Sequence, residues 1–210
     1  MKADYTLYLV TDRRAMSAET LEAAVEQALL GGCTMVQLRE TGADERTFYD
    51  SACAVKKITD CYGVPLIINN SVAIALAAGA AGVHIGQRDL PAETARRLIG
   101  PDMLLGVSAS SVQEARRAQA DGADYIGVGA VFPTNTKKDA PRVSWDCLEE
   151  IRRAVRIPIV AIGGISMDNI AQFAGRGISG AAVVSAVIAQ PDIRRAAAAL
   201  REEMAKVLLL

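Results

Sequence analysis

The sequence predicts a (β/α)8 barrel that occupies residues 1–210 as a single domain. Three observations predict it: short apolar, β-branched runs alternate with alanine-rich stretches, the runs recur about every 25 residues, and the joints before successive runs alternate in composition. Alternation of this kind indicates a parallel sheet, because parallel strands are apolar on both faces. The length of 210 residues lies near the lower end for a complete barrel.

Eight runs have the length and composition of buried strands. They cover residues 7–10, 35–38, 66–68, 83–85, 104–107, 125–128, 159–162 and 181–184. The stretch after the first run shows the spacing of one buried helix face, carried by Leu21, Ala24, Val25, Ala28 and Leu29. The chain therefore repeats a strand followed by a helix.

The joints that lead into the strands form a second, two-unit repeat. Glycine precedes the even-numbered strands, in residues 31–32, 79–82, 122–124 and 177–180, where it suits the left-handed residue that ends a helix. Proline precedes strands three, five and seven, as Pro65, Pro101 and Pro158. A repeat that runs the whole length favours a closed barrel over an open doubly wound sheet.

Composition excludes several classes of function. The 23 basic and 24 acidic residues give a net charge of −1, which offers no electrostatic basis for nucleic-acid binding. No apolar run reaches the ~18–20 residues of a membrane span. The four cysteines show no CxxC pair or zinc-like spacing, so we expect them to be reduced core residues of a cytoplasmic protein. The protein could also form a homo-oligomer. The single histidine excludes a mechanism built on several histidine ligands.

Polar residues follow the carboxyl end of nearly every predicted strand, which is where barrel enzymes carry their functional groups. We expect them to form a polar mouth on an apolar barrel. The polar residues are Gln37, Arg39, Glu40, Asn69, Asn70, Gln87, Asp89, Ser108, Thr134, Thr136, Lys137 and Ser185. Strand seven is followed instead by the pair Gly163 and Gly164.

The glycine pair and the cationic residues at this mouth indicate anion binding. Gly163 and Gly164 leave backbone N–H groups open to an oxyanion, and a helix around Asp168 would present its N-terminus nearby. A tight turn is the alternative explanation of the pair. Arg39 and Lys137 would face each other across the mouth, so more than one phosphate-bearing ligand is expected.

Asp89 is the best candidate metal ligand, since Mg2+ prefers oxygen donors and often bridges carboxylates to substrate phosphates. Asn70 could add an amide oxygen. The alternative for Asp89 is a helix cap ahead of Pro91. His84, within strand four, is typical of a satisfied barrel residue, and Asp12 of a cap or loop anchor.

These strand-end residues, taken together, resemble the thiamine phosphate synthase family. The resemblance runs from about residue 5 to 190 in family order, and its most specific parts are the strand-two segment and Thr134-Asn135-Thr136-Lys137. The similar stretches are residues 8–12, 36–40, 67–69, 82–87 with Asp89, 106–108, 123–129, 134–137, 161–165 and 183–186.

The resemblance implies condensation of hydroxymethylpyrimidine diphosphate with hydroxyethylthiazole phosphate, with release of pyrophosphate and assistance from Mg2+. It implies that Arg39, Ser108 and Lys137 are catalytic and that Asn70 and Asp89 hold the metal. The pyrimidine diphosphate would be held by Gln37, Arg39, Thr41, Asn69, Ser108 and Lys137. The thiazole phosphate would be held by Thr134, Thr136, Gly164, Val184 and Ser185.

The chain departs from the family pattern at two positions. Thr41 stands where the family usually has lysine, and Asn70 where many members have an aspartate that binds the metal. The two changes cancel in charge, but Asn70 implies weaker Mg2+ binding. Three alternatives remain: a thiazole tautomerase, another phosphate-handling barrel such as a sugar-phosphate epimerase, and a non-catalytic phosphate-binding barrel.

Overall fold

The chain folds as a closed barrel of eight parallel strands, each paired with the next along the chain and the last paired with the first. The computed structural model describes residues 3–134, 136 and 141–209. The predicted fold is therefore confirmed. The strands are β1 (Leu7–Val10), β2 (Met35–Leu38), β3 (Leu66–Asn69), β4 (Gly82–Ile85), β5 (Leu104–Ala109), β6 (Tyr125–Val128), β7 (Ile159–Ile162) and β8 (Gly180–Val183).

The observed strands match the predicted runs to within two residues at each end. Asn69 is the last residue of β3 rather than the first residue after it. Strand β5 extends through Ser108 to Ala109, whereas β8 ends at Val183 and leaves Val184 in the following loop. Asn69 and Ser108 therefore lie within strands, and Val184 directly follows one.

Helices follow the strands and begin at side chains that accept hydrogen bonds from the first turn. Thr20, Asp44, Ser71, Ser111, Ser144 and Asp192 each cap a helix in this way. One such cap stabilises a helix by about 1 kcal/mol. The helices are α1 (Leu21–Leu30), α2 (Glu45–Cys61), α3 (Val72–Ala77), α4 (Ala92–Ile99), α5 (Val112–Ala120), α6 (Trp145–Ala154), α7 (Ser185–Ile188) and α8 (Ile193–Val207).

The predicted helix around Asp168 is not formed. After β7 the chain makes a turn in which Ser166 N donates to Asn169 Oδ1, at 2.9 Å, and then a four-residue 3-10 helix, Ile170–Phe173. The prediction was wrong because Gly175 and Gly177, both with positive φ, interrupt the short connection before a longer helix could form.

The barrel has two apolar layers. The larger one lies between the strands and the helices, and the smaller one fills the barrel interior. The interior layer includes Tyr8, Met35, Ile67, Tyr125 and Val160, all almost fully buried. Both strand faces are thus buried, as the apolar runs predicted.

The four predicted glycine joints are confirmed: each contains a glycine with positive φ, namely Gly32, Gly79, Gly122 and Gly177.

All four cysteines carry free thiols. Cys33 is buried, which raises the pKa of its thiol to about 12, whereas Cys61 is exposed at the end of α2, so its predicted place in the core is wrong. None of the helices in the described part of the chain is both long and apolar enough to span a membrane.

Candidate active site

Three predicted site residues lie on inward-facing positions at the carboxyl end of the barrel. Gln37 and Asn69 follow the interior residues Met35 and Ile67 by two positions, and side chains two apart on a strand share a face. Ser108 reaches inward as well, since its Oγ lies 3.0 Å from the buried His84 Nε2. The strand ends therefore bring Gln37, Asn69 and Ser108 to one mouth.

Arg39 is held at the rim of this mouth by residues that follow β1. Its Nη1 donates to Asp12 Oδ2 at 3.1 Å, and its backbone N donates to Thr11 Oγ1 at 3.0 Å. Asp12 Oδ1 also accepts from Arg14 N, which confirms Asp12 as a loop anchor. Both charged side chains are mostly buried, with exposed fractions of 21% for Arg39 and 11% for Asp12.

A chain of hydrogen bonds crosses the barrel interior below the mouth. Gln37 Nε2 lies 2.9 Å from Tyr8 Oη, and Tyr8 Oη lies 2.9 Å from Tyr125 Oη. Tyr125 Oη lies 3.1 Å from His84 Nδ1, and His84 Nε2 lies 3.0 Å from Ser108 Oγ. His84 is thus a satisfied barrel residue, as predicted. We call these five residues the interior hydrogen-bond chain.

Burial keeps the tyrosines of this region protonated. It raises the pKa of Tyr8 and of Tyr125 well above the ordinary value of a phenol. The pKa of Tyr5, which packs on Tyr125, rises to about 12 because of burial and, to a smaller extent, the charge of Asp124. At neutral pH all three hydroxyls can therefore donate a hydrogen bond.

Asn70 and Asp89, the predicted metal ligands, follow the neighbouring strands β3 and β4. Asn70 is exposed and has a φ of 63°, and its backbone N donates to His84 O at 2.8 Å. Asp89 Oδ2 accepts from Gly86 N at 2.7 Å, so this carboxylate closes the turn after β4. Helix α4 has no side-chain cap, and the alternative of Asp89 as its cap is wrong.

These two residues offer oxygen donors of the type that Mg2+ prefers. Asp89 contributes a carboxylate, and Asn70 contributes an amide oxygen at an exposed position beside it in strand order. Within residues 3–134, 136 and 141–209, no group of three or more His, Cys, Asp or Glu could hold a metal. One carboxylate and one amide oxygen would fit only an ion that took its other ligands from outside the protein.

The loop after β6 lies against the end of β7. Val131 N and Phe132 N donate to Ile162 O and Gly163 O, each at 3.0 Å, which brings Thr134 beside the glycine pair. Thr134 Oγ1 accepts from Thr136 N at 3.2 Å, so the two predicted threonines share one turn. Lys137 lies outside the described residues, and so does its predicted position opposite Arg39.

Gly164 is required at its position in this loop. Its φ is 66°, and a Cβ there would collide with Pro133 O and Phe132 Cβ. Asn169 Nδ2 donates to Gly164 O at 2.9 Å, which fixes the peptide from the other side. Both glycines have positive φ, and the bend that they make packs directly against the threonine loop.

An aromatic cluster supports the same loop from below. Trp145, the first residue of α6, packs edge to face on Phe132 and on Phe173, with ring centroids 5.6 and 5.3 Å apart. The guanidinium carbon of Arg176 lies 4.3 Å from the Trp145 ring centroid. Packing of this kind fixes the base of the loop that carries Thr134 and Thr136.

The remaining predicted residues lie after β8 and β2. Val184 packs against the interior layer, and Ser185 is the exposed first residue of the short helix α7. Ser185 O accepts from Gln190 Nε2 at 3.0 Å, which closes the turn that follows α7. Thr41 is exposed in the loop after β2.

Sequence reasoning missed Tyr8, Tyr125 and the ion pair of Asp12 with Arg39. One signal was available: Gly106 and Gly127 occupy inward positions of β5 and β6, and a Cβ at Gly106 would collide with Tyr125 and with His84 Nδ1. Glycine inside an otherwise apolar strand indicates that a large group approaches closely. The sequence did not show which group that is.

Comparisons with known proteins identify relatives of this chain. The family model described as thiamine monophosphate synthase matches residues 7–187. Thiamine-phosphate synthase of Ruminiclostridium cellulolyticum is 60% identical over 201 residues, which is 96% of each chain. That of Clostridium beijerinckii is 55% identical over 98% of this chain and 99% of its own.

Among solved structures, thiamine phosphate pyrophosphorylase from Pyrococcus furiosus superposes with a TM-score of 0.90 and is 38% identical, with 98% of each chain covered. Sequence and structure agree over almost the full length, including every strand that contributes to the mouth. The chain belongs to the thiamine monophosphate synthase family of transferases.

Proposed function

We propose that this protein joins hydroxymethylpyrimidine diphosphate to hydroxyethylthiazole phosphate, forming thiamine phosphate and pyrophosphate. Family membership supports the overall activity. The observation that carries the proposal is the meeting of Gln37, Asn69 and Ser108 on inward positions of one mouth, beside Arg39 at its rim. These residues come from β2, β3 and β5 and have polar groups suited to a heterocycle that bears phosphates.

The pyrimidine diphosphate would occupy the side of the mouth between β2 and β5. Gln37, Asn69 and Ser108 would hydrogen-bond the ring, and Arg39 would bind the diphosphate through its planar fork of N–H donors. Thr41 and Lys137 complete the proposed set by family resemblance. Asp12 would hold the Arg39 side chain in place, through their ion pair, before substrate arrives.

The thiazole phosphate would occupy the opposite side, at the loops after β6, β7 and β8. Thr134 and Thr136 would offer hydroxyls, and Gly164, which has no side chain, would let the backbone approach the ligand closely. Val184 and Ser185 lie where many barrels bind a phosphate, after strand eight. The two substrates would thus approach each other over the interior layer of the barrel.

Asn70 and Asp89 would hold Mg2+ on the diphosphate side. A bound Mg2+ would neutralise charge that develops on the departing pyrophosphate. Asp89 is already oriented by Gly86 N through one carboxylate oxygen, which leaves its other oxygen to face a ligand. Asn70 supplies no charge, so most of the binding energy would come from Asp89 and the substrate itself.

The reaction proposed is a dissociative displacement. The bond between the pyrimidine methylene carbon and the diphosphate oxygen breaks first, and its electron pair leaves with pyrophosphate. The lone pair of the thiazole nitrogen then forms the new C–N bond with the resonance-stabilised pyrimidine cation. No general base is needed at the nucleophile, so the residues act by placing the thiazole and by stabilising negative charge.

Assays that omit one component at a time test the activity. The proposal expects product only when both heterocycles are supplied, and no change in the thiazole phosphate when it is incubated alone. Conversion of one thiazole tautomer to the other by the protein alone, without diphosphate or metal, would instead indicate a tautomerase.

The order of bond breaking and bond making has a separate test. An electron-withdrawing substituent on the pyrimidine ring destabilises a cation, so the dissociative route predicts a large fall in kcat with little change in affinity. The same substituent would leave kcat almost unchanged, or raise it, if the thiazole nitrogen attacked before the diphosphate began to leave.

A further inference from the structure

We propose that the interior hydrogen-bond chain runs in one direction and presents the Ser108 hydroxyl to the mouth as a hydrogen-bond donor for a pyrimidine ring nitrogen. This inference rests on the proposed function for the identity of the ligand. It makes Tyr8, Tyr125 and His84 positioning residues, since each acts through Gln37 or Ser108 rather than on substrate.

The direction follows from counting hydrogens along the chain. Gln37 turns its amide nitrogen, which can only donate, towards Tyr8 Oη at 2.9 Å, so in this orientation Tyr8 Oη accepts. Tyr8 therefore directs its single hydrogen to Tyr125 Oη, at 2.9 Å. Tyr125 in turn directs its single hydrogen to His84 Nδ1, at 3.1 Å.

The same count fixes the tautomer of His84. Because Nδ1 accepts, the ring is neutral and its proton lies on Nε2. Nε2 then donates to Ser108 Oγ at 3.0 Å. Ser108 Oγ has accepted this bond, so its own hydrogen is directed to an acceptor in the mouth.

Burial forces all the links of the chain to share one direction. Tyr125 is completely buried, and the exposed fractions of Tyr8, Gln37 and His84 are 1%, 5% and 9%. Every buried side-chain nitrogen or oxygen in the described part of the chain has a hydrogen-bond partner. Reversing one link alone would force a donor to face a donor and leave a buried polar group unsatisfied, so the direction changes only if every link reverses and the Gln37 amide turns over.

Two glycines provide the space that the chain needs. Gly106 stands opposite His84 in the β4–β5 register and opposite Tyr125 in the β5–β6 register. A Cβ at Gly106 would collide with the Tyr125 hydroxyl and with His84 Nδ1, the two atoms that this link joins. Gly127, opposite Ser108, would place a Cβ 3.1 Å from His84 Cε1.

The consequence is a fixed pattern of donors and acceptors for the substrate. Ser108 offers a hydrogen to a ring nitrogen lone pair, and Gln37, with its amide nitrogen turned to Tyr8, keeps its carbonyl oxygen as an acceptor. An aminopyrimidine presents both complementary features, a ring nitrogen acceptor and an amino donor. The barrel interior thereby determines the polarity of the groups at its mouth.

The tautomer of His84 can be read directly, since it is the only histidine in the chain. Nitrogen-15 spectra of the substrate-free protein labelled at histidine should show, at neutral pH, one protonated Nε2 and one unprotonated Nδ1. A spectrum with the proton on Nδ1, or with both nitrogens protonated, would overturn the proposal. This readout needs no turnover, so it is independent of whether the proposed function is correct.

Variants then test the link between the chain and the substrate. In Tyr125→Phe, His84 Nδ1 loses its donor, and we expect a mixture of tautomers together with a KM for the pyrimidine diphosphate raised about three- to tenfold, the value of one hydrogen bond. The KM for the thiazole phosphate should not change. Tyr5→Phe is the matched control, because Tyr5 packs on the Tyr125 ring at 5.0 Å but is not part of the chain.

The outcomes separate cleanly. If Tyr125→Phe gave the wild-type histidine spectrum, the positioning role would be refuted. It would also be refuted if Tyr5→Phe raised the KM for the pyrimidine diphosphate as much as Tyr125→Phe does. If Tyr125→Phe does not fold, the wild-type spectrum still decides the direction of the chain. Absence of turnover in the wild-type protein, with the expected spectrum, would count against the proposed function and leave the hydrogen-bond direction established.

Discussion

Asp12 and Arg39 form an ion pair that joins the ends of β1 and β2, with 3.1 Å between Asp12 Oδ2 and Arg39 Nη1. Both side chains are mostly buried, and Thr11 Oγ1 binds the backbone of Arg39 beside them. A long arginine side chain loses about 2 kcal/mol of conformational free energy when it is fixed. Asp12 supplies part of that ordering before substrate binds, so Arg39 is positioned in advance.

Asp12→Asn should lower kcat/KM for the pyrimidine diphosphate about tenfold, since it replaces a charge-assisted hydrogen bond worth about 1.5–3 kcal/mol with a weaker one. The matched control is Asp50→Asn, which removes an acidic partner of Arg46 on the exposed face of α2. Steady-state kinetics of both variants check the prediction. An unchanged or higher kcat/KM in Asp12→Asn would mean that Arg39 does not depend on this carboxylate.

Gly164→Ala should destabilise the protein by about 2–4 kcal/mol, through the positive φ and the collision with the loop after β6. Gly175→Ala is the control, because Gly175 has a similar φ of 72° and open space around it, so only about 1 kcal/mol is expected. Urea unfolding measures both values. Equal losses in the two variants would show that the loop yields without cost.

The same Gly164→Ala variant should raise the KM for the thiazole phosphate about tenfold and leave the KM for the pyrimidine diphosphate near its wild-type value. The reason is that the displaced segment carries Thr134 and Thr136, whereas Gln37 and Ser108 lie on other strands. Separate titration of each substrate distinguishes the two effects. A parallel rise in both KM values would contradict the assignment of two distinct sides.

Asn70→Asp should lower the Mg2+ concentration required for half-maximal activity several-fold, since a carboxylate binds this ion more strongly than an amide does. Asparagine and aspartate both tolerate the left-handed backbone found at Asn70, so the substitution leaves the turn intact. Gln113→Glu on the exposed surface of α5 adds the same charge elsewhere. Identical Mg2+ titrations of Asn70→Asp and the parent would remove Asn70 from the metal site.

Alkaline pH should destabilise the fold. The pKa of Tyr5 rises from its ordinary value of 10.0 to about 12 on folding, so the unfolded chain loses its proton first as pH rises between these values. The contribution of Tyr5 to stability is therefore constant below about pH 10 and falls above it, by about 1.4 kcal/mol per pH unit up to about pH 12.

Urea midpoints measured on both sides of about pH 10 check this prediction. Tyr5→Phe should reduce the slope by the contribution of one tyrosine, while the remaining slope reflects Tyr8, Tyr125 and the Cys33 thiol, whose pKa values also rise on burial. A stability that does not change up to about pH 12 would contradict the cause assigned here.

The sequence predicted the barrel because its strands are apolar on both faces and its joints repeat. Because both faces of each strand are apolar, the sequence did not show which residues face the barrel interior. Tyr8 and Tyr125 could as well have faced the helices as the barrel axis. Strand register decided the matter, by bringing Gly106 opposite both His84 and Tyr125. Pairing between distant strands is set by the closed sheet as a whole and leaves no mark in a local pattern.

The sequence predicted some residues of the candidate site but not all of their contacts. Gln37, Asn69 and Ser108 were found because polar residues at strand ends stand out against apolar runs. The partner of Arg39 was not, because Asp12 is distant in sequence and resembles an ordinary loop anchor. The helix expected near Asp168 did not form because Gly175 and Gly177 interrupt the short connection between β7 and β8.

Formation of thiamine phosphate from the two purified substrates, followed with and without added Mg2+, tests the central claim most directly. The account predicts Mg2+-dependent release of thiamine phosphate and pyrophosphate in equal amounts. Both substrates bound without any product, at saturating Mg2+, would contradict it and would make this a ligand-binding barrel that has kept the residues of the mouth but not the reaction.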